Sequence, residues 1–592
     1  MSTRPRPPAP DGPGSPIRHR AAVIGAELRV LDDGWSVGRC GDHAGLDGGQ
    51  VDPVRPRLRS GRIVHIDDVG PSMRELILPL HPGERWWGGA VADGTAMPFG
   101  ARDHHRDLGL NAGYLDDPTA GANQSAPLLV SDRGRYVWSA NPFAFTFASG
   151  RLTLRGRGIE VGAGETAALA GAFRAAADRH FPPSGRSPDP AMFAGPQYNT
   201  WMELPYTPTQ QGVLGYVRGL LDAGFPPGVV MIDDRWSKDY GVWQFDPGAF
   251  PDPAGMISTL HDWGCPVMLW LVPFISPDSA TRRDLQARGL LVRRPDGRVA
   301  IRTWWNGDSA ILDVTNPDAV AWLTGELDAL QQFGVDGFKF DGGDLRDYRA
   351  DDVSFTMADP AGQCEAWAQL GLGYPLNEYR ACWKMGGAPL AQRLHDKPAT
   401  WGGHGLASLI PESIAQGLIG HPFGCPDMIG GGDLAQASAG VDQELFVRYA
   451  QLAALHPMMQ FSLAPHRVLD RDHLAAVRAA VDLRQSLLPD LLDMVDNAAR
   501  TGEPILRSPA YADPADPGMA DQFTLGGRIL VAPVLEPGVS TRRVRFPAGT
   551  WVDGDGSRYV GPDRRDIPVD LSTIPWFRRE EGNPPARAGQ GD

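Results

Sequence analysis

The chain is poor in the features that commit a protein to metal, membrane or nucleic-acid work. Its five cysteines, Cys40, Cys265, Cys364, Cys382 and Cys425, are odd in number and never spaced as a metal clip. They read as reduced and structural, and neither metal nor cofactor is expected. No run of about 18 apolar residues exists to cross a membrane as a helix. The opening MSTRPRPPAPDGPGSPIRHR is rich in Pro, Arg and Gly and has no apolar core for a secretion signal. Residues 1–20 are therefore expected to be a disordered tail of a cytoplasmic protein, with a second tail at 581–592. A long basic run is missing and net charge is −15, which argues against nucleic acid as a partner; a membrane partner is not expected either. No GxGxxG follows a strand-like run, so a dinucleotide site is unsupported, and no internal repeat of fixed period is found.

What is there is ordinary globular material, 42% hydrophobic and 21% charged. A length of 592 residues implies roughly three or four units at about 100–200 residues each, although a barrel can take about 250. Tryptophan is frequent, 17 residues against 12 tyrosines, and clusters in RWWGG (Trp86, Trp87), RTWWNG and ATWGG. Flat rings with one polar edge suit the apolar faces of sugars as well as cores.

Three rhythms follow one another. Residues 21–188 show short apolar runs broken by Gly, Pro and Asp, the pattern of an antiparallel β-sandwich. After the Pro-rich FPPSGRSPDPAMFAGP, apolar strands alternate with amphipathic stretches through residues 189–487. About eight such units predict an α/β fold, a (β/α)8 TIM barrel. From 488 to 580 short β segments return, as a small C-terminal β domain.

In a barrel the reactive groups stand where strands end. Trp201, Asp233, Asp234, Trp270, Asp341, Arg380, Asp396 and Asp427 occupy such positions. Carboxylates converging with Trp and Arg, without a His/Cys cluster, suit acid–base and nucleophilic chemistry without metal. Glycoside cleavage needs this set: two carboxyls flanking a bond, with aromatic and polar groups to hold a sugar. In GVDGFKFDGGD, Asp336 opens the strand at the closed end and reads as structural, whereas Asp341 ends it, with Gly342 and Gly343 expected to leave room for a sugar.

Four stretches between about 196 and 467 resemble glycoside hydrolase family 31, and within it the branch of myogenesis-regulating-glycosidase-like proteins: VVMIDD with WQFDPGAFPDP, RTWWNGDSAILDVTNP, GFKFDGGD, and HDKPATWGGHGLASLIP running into CPDMIGGG. The resemblance implies a retaining exo-acting α-glycosidase, on α-galactosides before α-glucosides, with Asp341 as nucleophile and Asp396 as general acid/base. It further implies that Asp233 and Asp234 face sugar hydroxyls, that Trp304, Trp305, Arg380 and Asp427 bind sugar, and that Trp270 lines the pocket. Lys339, two residues before Asp341 and on its face, and Trp401, an apolar wall for the acid, complete the substrate-binding candidates. The partner implied is an oligosaccharide or glycoside; monomer and homo-oligomer both stay open.

Retaining chemistry requires the two carboxyls about 5–5.5 Å apart. The nucleophile must be ionised, which Arg380 would favour, and the acid must hold a proton near neutral pH. Two departures from the family pattern stand out: Asp344 where many relatives have Glu, expected to support the loop, and His404, which receives no catalytic role. The rivals are a non-catalytic carbohydrate-binding or regulatory protein on the same barrel, and a metal-dependent hydrolase or an aldolase, which would need a His/Asp cluster or a strand-end lysine such as Lys339. The cluster His104–His105 reads as a solvated loop.

Overall fold

The computed structural model describes residues 75–110, 124–434, 440–512 and 520–580, with the backbone alone of Arg74 and of strands His19–Arg20, Ala26–Leu31, Gly34–Arg39 and Val64–His65. Cys40 and most of the two expected tails lie outside the described residues.

The central unit is an (β/α)8 barrel. Eight parallel strands, β1 (Gln197–Asn199), β2 (Val230–Ile232), β3 (Val267–Leu271), β4 (Gly337–Phe340), β5 (Leu376–Tyr379), β6 (Gln392–Arg393), β7 (Gly424–Cys425) and β8 (Gln460–Phe461), run in the order β7-β6-β5-β4-β3-β2-β1-β8. A parallel bridge from Met428, just past β7, to Gln460 of β8 closes the ring. Most of the outer layer comes from helices with side-chain N-caps. Among them are α1 (Gln210–Asp222), capped by Thr209, α2 (Pro253–Asp262), capped by Asp252, α3 (Pro317–Gln331), capped by Asn316, and α4 (Pro360–Leu370), capped by Asp359. Three of the four carry Pro in the first turn, where its missing N–H costs no hydrogen bond. Helices α5 (Leu409–Leu418) and α6 (Gln443–Ala454) complete the β6–β7 and β7–β8 connections.

One unit departs from the strand–helix rhythm. Between β5 and β6 there is no helix; Cys382–Trp383 instead pairs with strand Gln124–Ser131 of the N-terminal unit. The β5 loop that begins at Arg380 is thus stitched into the sandwich. Long insertions follow β2 and β3: a hairpin (Ser237–Asp239 with Val242–Phe245) and a three-stranded sheet from Phe274–Ile275, Ile301–Trp304 and Gly307–Ile311.

The N-terminal unit has a six-stranded sheet and a seven-stranded one, of which Cys382–Trp383 from the barrel is one strand. It also contains a helix, Leu169–His180, within the stretch read as purely β, because Ala-rich LAGAFRAAADRH has helical propensity and one buried face. His104 and His105 open an edge strand, His104–Asp107, paired with Phe143–Ala148, and are not a loop. Trp86 and Trp87 are sandwich core. The turn after them meets the barrel: a Cβ at Gly94 would lie 2.6 Å from the backbone N of Glu412 on α5. Helix Leu488–Thr501 precedes the C-terminal six-stranded sheet, whose first strand is Leu506–Arg507.

Cys265, Cys364, Cys382 and Cys425 are buried and free. Among the described residues no helix is long and apolar enough to cross a membrane, and no cluster of three or more His, Cys, Asp or Glu is arranged to hold a metal ion.

Candidate active site

Strand pleat places the centre. In β4, Phe340 stacks on Tyr379 at 4.8 Å and meets Trp367 edge-on, and Phe338 packs on Tyr374 at 5.0 Å. Alternation therefore sends Lys339 and Asp341 to the opposite, inner face. The turn that follows needs glycine for backbone reasons: φ is +62° at Gly342 and +67° at Gly343. Added Cβ atoms there would meet Phe274 at 2.8 Å and Trp367 at 2.6 Å. These glycines make room for protein packing rather than for a sugar.

Asp341 is surrounded by donors. Arg380 Nε donates to Oδ1 at 2.7 Å, Trp270 Nε1 to Oδ2 at 2.9 Å, and the Gly342 amide to Oδ1 at 2.8 Å. Burial opposes ionisation here, but the charges of Arg380 and Lys339, together with the Trp270 and Arg380 hydrogen bonds, outweigh it and hold the carboxyl well below the usual carboxylate range. Near neutral pH it is therefore a carboxylate, the state a nucleophile needs.

Asp396 differs in kind. Its side chain is 39% exposed, and Arg393 Nη1 donates to its Oδ1 at 2.8 Å. It follows β6 by three residues, and the next residue, Lys397, is fully buried with Nζ paired to Glu412 of α5. The acid/base candidate is thus an open carboxyl on a loop anchored from both sides.

Asp427, expected on the sugar, is wholly buried. Its Oδ1 accepts from Arg393 Nη1, and its Oδ2 from the amides of Lys397 at 2.7 Å and Gly432 at 3.2 Å. The carboxylate ties the β6 loop to the β7 loop, and its own backbone sits at φ +104°, rare for a residue with a side chain. Burial and the neighbouring Asp396 push it up to about 7 against the pull of Arg393.

Adjacent Asp233 and Asp234 diverge. Asp233 Oδ2 takes Lys339 Nζ at 2.7 Å and its Oδ1 the Asp234 amide at 2.9 Å. Lys339 is buried, and despite the desolvation that opposes its charge, Asp233 raises its pKa. A protonated, ion-paired amine is no Schiff-base nucleophile, which removes the aldolase rival. Asp234 accepts from Tyr240 OH at 3.1 and 3.2 Å and from Asn306 Nδ2 at 2.6 Å. Burial and Asp233 push its carboxyl up to about 7, against those two hydrogen bonds.

The tryptophans divide too. Trp305 is half-buried with Arg380 5.2 Å over its ring, whereas Trp304 is buried against Phe274 at 4.5 Å and Tyr240 at 4.9 Å. Trp201 donates to the Gly432 carbonyl at 2.9 Å, and half-buried Trp401 to Asp442 at 2.9 Å. Asp344 caps the short helix Leu345–Asp347, its amide donating in turn to Asp347. Asp336 accepts from the Val267 amide and from His261 at the closed end of the barrel, and His404 is exposed.

Sequence reasoning missed Tyr206, Tyr240, Asn306 and Arg393. Tyr206 stands edge-on to Trp201 at 5.1 Å and feels the charges of Asp234, Asp233 and Asp396. Asn306 directly follows the two tryptophans, so its spacing held a signal; Arg393 reads as part of its strand, and Tyr206, on the β1–α1 loop, and Tyr240, in the hairpin after β2, carried none.

Two family models match the chain. Residues 190–384 match the model of the glycosyl hydrolases family 31 TIM-barrel domain, and residues 502–582 that of the family 31 C-terminal domain. The chain is similar to myogenesis-regulating glycosidase of Mus musculus, 34% identical over 416 residues, 67% of this chain and 58% of that protein. It is also similar to 1,3-alpha-isomaltosidase of Kribbella flavida, 28% identical over 431 residues, 62% of this chain and 58% of the relative. The chain spans between half and three-fifths of the length of these relatives. Among solved structures, the fold is shared with a dextranase of Flavobacterium johnsoniae complexed with glucose, at TM-score 0.77 and 18% identity over 87% of this chain and 67% of that one. A sulfoquinovosidase from E. rectale superposes at TM-score 0.76 and 17% identity, over 94% and 89%.

Proposed function

We propose that this chain, which belongs to glycoside hydrolase family 31, is a retaining exo-acting α-glycosidase working through a covalent glycosyl–aspartate. Two carboxyl groups with opposite protonation demands support the reading: Asp341, buried and held ionised by Arg380, Trp270 and Lys339, and Asp396, half-open at the end of the next-but-one strand.

Asp341 attacks the anomeric carbon as Asp396 gives its proton to the departing glycosidic oxygen. Water, deprotonated by Asp396, then attacks the same carbon and releases Asp341. Asp234, Tyr240, Asn306 and Trp305 form the sugar-facing side. Asp233, Lys339 and Trp304 support them from behind: Lys339 Nζ pairs with Asp233, and Trp304 donates to Ser309. The resemblance to the myogenesis-regulating branch favours terminal α-galactosides, with α-glucosides next; transglycosylation would use the same residues.

The test is a panel of aryl α-glycosides, galactoside, glucoside, xyloside and sulfoquinovoside, on the parent chain and Asp341→Ala. Cleavage by the parent, loss in the variant, and azide rescue to a β-glycosyl azide are expected. Full activity in Asp341→Ala would sink the mechanism; no cleavage of any member would favour the carbohydrate-binding alternative.

A further inference from the structure

One guanidinium serves two carboxylates at the β6 loop. Arg393, 1% exposed, donates from a single atom, Nη1, to Oδ1 of Asp396 and to Oδ1 of Asp427. The two oxygens are also neighbours across Gly432: a Cβ built there would lie 3.1 Å from Asp396 Oδ1 and 3.2 Å from Asp427 Oδ1. Asp427 cannot reach a sugar, being fully buried with both oxygens engaged. Yet it is held at φ +104°, a conformation that costs about 1–3 kcal/mol and persists mainly at functional sites.

A lone guanidinium against a general acid is a poor arrangement, because it favours the ionised form that cannot donate. A second carboxyl on the same nitrogen, to the extent that it is ionised, offsets that bias while leaving the hydrogen bond that aims the acid. We infer that Asp427 acts through Arg393 as a positioning residue for Asp396, fixing its Oδ1 and balancing the guanidinium so that the carboxyl can both give and take a proton. The inference rests on the acid/base reading of Asp396. When Asp396 passes its proton to the leaving oxygen, the new carboxylate already has Nη1 at hydrogen-bond distance; the proton returns from the attacking water in the second step.

Other charged and titratable groups face this set. Glu378 of β5 approaches Arg393 Nε at 3.4 Å, and Cys425 of β7 and Tyr449 of α6 flank Asp427. Arg380 and Tyr206 feel Asp396. His395 and Lys397 flank Asp396 in the chain, with Glu412 of α5 behind them. Asp427 shares the donor atom Arg393 Nη1 with Asp396.

The experiment compares pH profiles of kcat and KM on two substrates of the accepted sugar. One is an alkyl glycoside, whose leaving group needs protonation, and the other a dinitrophenyl glycoside, whose leaving group does not. Asp427→Asn is expected to lose about 100-fold in kcat on the alkyl glycoside and less than about threefold on the dinitrophenyl one. Its alkaline limb on the alkyl glycoside should move to lower pH. Equal loss on both substrates, or a loss carried by KM, overturns the inference. If Asp427→Asn fails to fold, Asp427→Glu carries the test: it keeps the anion, so its alkaline limb should stay at the parent position, and a limb moved to lower pH overturns the idea. Asp396→Asn runs alongside. Should it keep alkyl-glycoside activity, the acid/base reading itself fails; should it show the substrate split while Asp427→Asn does not, only the present inference fails.

Discussion

Arg380 donates from Nε to Oδ1 of Asp341 at 2.7 Å, joining the end of β5 to the end of β4, and its guanidinium carbon lies 5.2 Å from the centroid of the Trp305 ring. One side chain thus sets the charge of the nucleophile and braces an aromatic wall. It can do so because the β5 loop is pinned to the sandwich two residues later, at Cys382.

Arg380→Lys keeps a cation but loses the planar fork and the stacking on Trp305. The carboxyl of Asp341 sits below its ordinary range because Arg380 and Lys339 outweigh burial. Weakening that support lifts it, so the acidic limb of the kcat/KM profile should move to higher pH. Maximal kcat should fall by about 100-fold. A profile with an unmoved acidic limb would contradict the assignment.

Lys339→Met would leave Asp233 buried and uncompensated. Such a broken buried pair costs about 3–5 kcal/mol, to be read as a lowered urea midpoint. The double variant Lys339→Met with Asp233→Asn should recover most of that loss, since no bare charge remains. Recovery of stability without recovery of activity would place the pair under the site rather than outside it.

Asp344 carries a raised carboxyl, about 6 against an ordinary 3.8, because burial and Asp347 disfavour its charge more than Arg346 favours it. The folded chain therefore holds this proton more tightly than the unfolded chain. The stabilisation is full below about pH 3.8, falls as pH rises to about 6, and is lost above. Asp344→Asn keeps a capping oxygen without the charge and should exceed the parent by about 1–2 kcal/mol near pH 7. The gap should close near pH 4, which thermal melts at the two pH values would check.

Asn306→Ala removes one of the two hydrogen bonds that favour the Asp234 anion, alongside Tyr240. The Asp234 carboxyl then titrates above its present value of about 7. KM for the accepted glycoside should rise about tenfold near pH 6 and recover partly by pH 8. A KM that is raised equally at both pH values would make Asn306 a direct sugar contact alone.

The barrel was legible because buried parallel strands leave short apolar runs at regular spacing, and the polar residues that end them stand out. Asp341, Asp233 and Asp234 could be found this way, each closing an apolar run. Arg393 could not, since three residues before Asp396 it reads as part of the strand, and Asp427 was legible as a position but not as a role. Helix Leu169–His180 was hidden in a β-rich stretch, and the missing helix between β5 and β6 was masked by a segment that pairs with a strand more than 250 residues away.

By itself the sequence determined the order of units, the eight strands, and which carboxylates stand at strand ends, because side-chain alternation and turn chemistry are local properties of the chain. Only the tertiary structure decided which of those acids is bare and which is spoken for. Asp341 is ionised by an arginine from the neighbouring strand, Asp233 is neutralised by a lysine on β4, and Asp427 shares with Asp396 a single nitrogen of Arg393. Charge in a low-dielectric interior is set by what lies a few ångströms away in space, and that neighbourhood is assembled from loops far apart in the chain.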